Sequence, residues 1–146
     1  MPASSEHAQR IRQGLDFIGA AYSKDHANEL VIAFFYCALH MFEAAVYDFT
    51  AKPRPRHYYT HGDRTKFLAS VKFQTSHPFF PMVSDYEALR GLSEQARYLS
   101  PAGAETYEPL RLPRDRDDAE ALFKNIREKI ENVYTLQGKK APWLLS

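Results

Sequence analysis

Between Pro53 and Leu68 the chain reads PRPRHYYTHGDRTKFL, which crowds Arg54, Arg56, His57, His61, Arg64 and Lys66 among Tyr58, Tyr59 and Phe67, with Asp63 as the only acid. Those residue types suit a phosphodiester. THGD has the capping-box form, Thr60 at the N-cap and Asp63 three residues on, so a helix is predicted from Thr60 with His61 in its first turn. Unpaired N–H groups and the helix dipole there favour an anion and disfavour an imidazolium, leaving a neutral ring able to accept a proton. Arg56 precedes it in a proline-stiffened loop, and a guanidinium is well shaped for phosphate. The two could hold one phosphodiester, with Arg56 stabilising developing charge and His61 removing a ribose 2′-hydroxyl proton. Tyr58 and Tyr59 could stack on unpaired bases, while Arg54, His57, Arg64 and Lys66 add phosphate contacts. The same letters also fit a solvated, basic turn between helices whose tyrosines pack on the core.

Two further groupings support this stretch. His40 and Glu43, in the apolar run LVIAFFYCALHMFEAAVY, stand one helical turn apart on roughly one face. Di-iron bundles use a Glu-x-x-His pair on each of two helices plus two more glutamates. No second such pair exists here, so no metal or other cofactor is expected, and His40 reads as a core histidine or as facing a polar seam near Arg97. His57 and His61 do not read as a zinc pair, because a cap at Thr60 separates them from one continuous helix. Arg97 and Tyr98 close the segment EQARYL, and an arginine there requires a partner, either Glu43 or an aromatic face.

Five helices can position these residues, and no strand pattern is present. The first runs from about Ser5 to Tyr22 on the stripe Ala8, Ile11, Leu15, Ile18 and Tyr22. The second, from about His26 to Phe49 with Asp25 as its cap, is apolar almost all round and belongs in the middle of the molecule. Prolines at 53 and 55 break it. The third starts at Thr60 and buries Phe67, Leu68 and Val71. The fourth is predicted to begin at Ser84, with SDYE as a second capping box, and to bury Tyr86, Leu89, Leu92, Ala96 and Leu99. The last, about Asp115 to Leu136, has its apolar face on Ala119, Leu122, Phe123, Ile126, Ile130, Val133 and Tyr134, and Gly138 ends it. The fold class is all-α, an up-and-down bundle of four to five helices. Residues 1–138 form the domain and residues 139–146 a short tail carrying Trp143, Leu144 and Leu145, which docks on the bundle or meets a partner.

Bulk properties narrow the function. The chain has 146 residues, 45% hydrophobic and 25% charged, which fits one globular domain. A net charge of +1 excludes whole-molecule attraction to nucleic acid, so such binding must be local. The one cysteine, Cys37, excludes an intrachain disulfide and reads as a small buried hydrophobe in a reducing, cytoplasmic setting. Residues 1–10 lack a signal-peptide pattern. Leu30 to Tyr47 approaches the length of a membrane span, but His40 and Glu43 interrupt it, so no membrane is expected.

FFYCALHMFEAAVYD, THGDRTKFL and YEALRGLSEQARYL together resemble the HEPN superfamily, the higher-eukaryote and prokaryote nucleotide-binding helical domains, over roughly Ala27 to Leu99. The resemblance implies a four- to five-helix bundle, usually a homodimer. Many members are metal-independent ribonucleases of toxin–antitoxin, CRISPR and phage-defence systems, and their motif is an arginine, a polar residue and then a histidine. RHYYTH matches it with Arg56, His57 and His61. In the catalytic families the motif lies at a later core helix, whereas here it precedes the third, and no histidine follows Arg97 at a suitable spacing. The preferred reading is therefore a dimeric module that binds RNA, a nucleotide or a partner protein encoded nearby, in a defence or toxin–antitoxin setting. The alternative is an endoribonuclease using Arg56 and His61.

Overall fold

The computed structural model describes residues 3–21, 26–49, 79–97 and 110–144. Among these residues the protein is an all-α helical bundle of four helices: α1 (Ala3–Ala21), α2 (Ala27–Phe49), α3 (Val83–Arg97) and α4 (Arg114–Leu136). Short 3-10 turns at Phe80–Met82 and Pro142–Leu144 flank α3 and end the described chain. The helix expected from Thr60, its buried residues Phe67, Leu68 and Val71, and the Asp25 cap lie outside the described residues.

α2 is the core helix. Its side chains Leu30, Val31, Phe34, Phe35, Ala38, Met41, Phe42 and Ala45 point to different sides and are all buried. That requires neighbours all round, and α1, α3 and α4 each pack on it. Ala27–Val46 is long and apolar enough to cross a membrane by length and composition, yet 72% of that window is covered by the rest of the bundle. The contacts give the directions. Ile11 and Gly14 of α1 face Cys37, and His7 faces His40, so α1 runs antiparallel to α2. Tyr86 touches both Phe35 and Phe42, and Arg97 lies over Tyr36, which sets α3 antiparallel to α2. Phe34 meets Phe123 while Phe49 meets Tyr134, so α4 runs parallel to α2. Direction thus alternates along the described helices.

The apolar stripes largely hold. Ala8 and Ile11 of α1, Tyr86, Leu89 and Ala96 of α3, and six of the seven positions expected on α4 are buried, with Leu122 half-buried. The start of α3 differs from the expected capping box. A 3-10 turn opens at Phe80 with Pro81 in it, Met82 is buried, and helical backbone is already established at Val83, so Ser84 lies inside the helix as an exposed residue rather than capping it. At the start of α4, Asp115 folds back and accepts the Arg111 backbone N–H at 2.6 Å. Gly138 ends that helix as expected. It takes φ +71°, where L side chains are strained, and the Gly138 and Lys139 N–H groups donate to the Thr135 and Tyr134 carbonyls.

The tail docks on its own chain. Trp143 is buried, donates from Nε1 to Glu131 Oε2 at 2.7 Å, and meets the Tyr134 ring edge-on. Arg12 of α1 donates to the Pro142 carbonyl at 3.0 Å, so the tail braces α1 as well.

One buried group is poorly served. The Ser93 hydroxyl, in the middle of α3, has no hydrogen-bond partner among the described residues. Ser93→Ala removes a desolvated hydroxyl and raises helix propensity, so it is expected to increase stability by about 1 kcal/mol, read from the urea midpoint. A fall in the midpoint would contradict this environment.

Candidate functional site

Two neighbouring features on the α1–α2 face carry chemistry. The first is a cluster of three titratable side chains. His40 and Glu43 occupy one face of α2 because three residues is close to one turn. α1 brings His7 against them from 33 positions away, with His7 Nδ1 2.7 Å from His40 Nδ1. His7 Nε2 lies 3.3 Å from Glu43 Oε2, and both residues of that pair are buried. His7 therefore stands between its two partners and uses both edges of its ring. An Nε2–H there can donate to the carboxylate, and either ring can supply the Nδ1–H of the 2.7 Å contact, according to its tautomer. One donor atom from each of the three residues falls within 4.8 Å of the others, which makes them a group able to hold a cation among the described residues.

The second feature is a groove of about 520 Å³ along the α1–α2 seam, lined by Arg10, Gln13, Gly14, Phe17, Glu29, Ile32, Ala33, Tyr36, Cys37 and His40. Small residues sit at its middle. Gly14 presents no side chain, and a Cβ there would sit 3.5 Å from Cys37 Sγ. The antiparallel pairing gives the groove two different ends. Arg10, Tyr36 and His40 lie together at one end, and the Arg97 guanidinium rests over the Tyr36 ring at 5.6 Å. Ile32, Ala33 and Phe17, which is 45% exposed, form an apolar stretch leading to Glu29 at the other end.

Of the sequence-predicted residues, His40 and Glu43 are brought together, joined by His7, which the sequence reading missed. The signal for it was available: His7 falls four residues before Ile11, on the same stripe as the buried face of α1. Arg97 takes the aromatic partner of the two expected, Tyr36, and the Glu43 carboxylate pairs with His7. Arg54, Arg56, His57, Tyr58, Tyr59, His61, Arg64, Lys66 and Tyr98 lie outside the described residues.

Cys37, on the groove floor, is inert as a nucleophile. Burial pushes its thiol up to about 12, against a smaller opposing pull from Arg127, and its Sγ lies 3.7 Å from the Ile11 carbonyl, which accepts its S–H. Tyr134 is also raised well above the ordinary tyrosine range, first by burial and then by its hydrogen bond to Asp48 at 2.7 Å and that carboxylate's charge. Both shifts favour the neutral native form. Their contribution is complete below the unfolded-state values and is lost as pH rises above them, because the unfolded chain ionises first. Stability is expected to decline from about pH 9 by up to about 1.4 kcal/mol per pH unit, and about twice as steeply once Tyr134 joins above about pH 10. Urea midpoints from pH 8 to 11 measure this. A flat profile, or native thiolate absorbance at pH 9, would contradict it.

Comparison with known protein families, curated proteins and solved structures finds no match to this chain.

Proposed function

We propose that the chain is a HEPN-like helical binding module whose ligand is a nucleotide or a short single-stranded RNA lodged in the α1–α2 groove. One observation carries this reading: the groove has a cationic, aromatic end and an apolar floor. Arg10, with His40 beside it as a hydrogen-bonding ring, suits a phosphate, while Tyr36, Ile32, Ala33 and Phe17 suit the flat apolar face of a base. A volume of about 520 Å³ is of the size that small-molecule sites use. Small net charge fits a local contact rather than broad attraction to nucleic acid. In this reading the module acts as a homodimer within a defence or toxin–antitoxin operon, and its role is recognition rather than turnover.

Fluorescence titration with a labelled nucleotide and a labelled short RNA tests the reading. Arg10 is exposed and Tyr36 half-buried, so Arg10→Ala and Tyr36→Ala leave the core in place. Each is expected to weaken binding about tenfold, since a lost stacking or charged contact is worth about 1–3 kcal/mol. Affinity should also fall with rising salt. Binding that ignores both substitutions, or a salt slope of zero, would remove the groove as the site.

The second reading, a metal-independent endoribonuclease, stands on the Arg56-His57-x3-His61 pattern. RNA cleavage in EDTA that is lost in His61→Ala supports it, and cleavage unchanged in that variant removes the base.

A further inference from the structure

We propose that His7, His40 and Glu43 form a binding site for a zinc-class divalent transition-metal ion that staples α1 to α2. The proposal shares His40 with the groove but does not rest on the nucleotide reading, because it needs no ligand in the groove.

The donor set argues for such an ion. Two imidazoles and one carboxylate are the three protein ligands of a well-known class of zinc site, in which the fourth position is left to water or substrate. Imidazole suits zinc and its neighbours, whereas calcium and magnesium require mostly oxygen donors. His40-x-x-Glu43 looks like an incomplete site when only α2 is considered. His7, arriving from α1, supplies the third ligand.

The geometry allows it. Ligand atoms around tetrahedral zinc lie about 3.3 Å apart. The present separations are 2.7 Å between the two histidines and 3.3 Å from His7 to Glu43, with one donor of each residue inside 4.8 Å of the others. A single ion cannot use both edges of the His7 ring. Coordination therefore needs the His7 and His40 rings to turn so that one nitrogen of each converges beside Glu43 Oε2, closing separations that now reach up to 4.8 Å. The ion's charge then answers the buried Glu43 carboxylate. His40 also lines the groove, so one of the three residues borders a solvent-connected cavity.

The test uses the full chain after EDTA treatment and dialysis, with Zn(II) for calorimetry and thermal melts and Co(II) for absorption. One equivalent of Zn(II) is expected to bind and raise the melting temperature, and Co(II) is expected to give the visible bands of a low-coordinate site. His7→Gln and His40→Gln should each weaken binding at least tenfold, while His26→Gln, at an exposed position, should bind as the parent does. His40→Cys supplies a positive readout if the glutamine variants fold poorly: it keeps a ligand, and its Co(II) form should add a thiolate charge-transfer band. No one-to-one binding at millimolar Zn(II), equal binding by His7→Gln, or a Co(II) form of His40→Cys without that band would overturn the proposal.

Discussion

Phe42→Ala is expected to lower the unfolding free energy by about 3–5 kcal/mol, the cost of removing a large side chain from a core that cannot close over the gap. Phe42 is fully buried on α2, its ring edge-on to Phe79 at 5.9 Å and tilted against Tyr86 at 5.4 Å. These are the contacts that fix the start of α3 on α2. The loss is a large share of the about 5–15 kcal/mol that holds an ordinary domain together, so the variant should melt far below the parent or fail to fold. Phe42→Leu, which keeps most of the volume, should recover much of the loss. Equal stability for Phe42→Ala and the parent would mean that α2 is not the core helix.

Trp143→Ala is the second large effect, about 3–5 kcal/mol, because a nearly buried indole is lost together with its hydrogen bond to Glu131 and its contact with Tyr134. Here the expected consequence extends to the groove. The tail touches α1 through the Arg12–Pro142 bond, and α1 is one wall of the groove. Hydrogen exchange should therefore speed up in α1 as well as at the end of α4. A variant that destabilises α4 while leaving α1 protected would show that the tail does not brace that wall.

Much of this framework is legible in the sequence, for identifiable reasons. Helical periodicity reads directly: the stripe on α4 is a regular repeat, and Gly138 marks its end because the backbone there needs positive φ. α2 announces itself as central because it lacks a polar face. Contacts that join distant positions do not read. His7 to His40, Tyr134 to Asp48, Lys129 to Asp85 and Trp143 to Glu131 pair residues through the fold, and no local pattern encodes the pairing. The metal question shows the consequence. His40 and Glu43 alone argue against a metal site, and the third side chain on which a site can be proposed is carried by another helix. The groove is equally hidden, since it depends on Gly14 falling opposite Cys37 across a seam whose register the sequence does not state. At α3 local chemistry misled: SDYE has the letters of a capping box, but Pro81 and the buried Met82 start the helical backbone sooner.

The measurement that bears most directly on the binding reading is an amide chemical-shift titration of the isotope-labelled full chain with a short single-stranded RNA and with a mononucleotide. The account predicts that the largest shifts fall on Arg10, Gly14, Ala33, Tyr36, Cys37 and His40. Shifts confined to residues 53–68, with those groove amides unmoved, would contradict it and transfer the site to the basic stretch around Arg56 and His61.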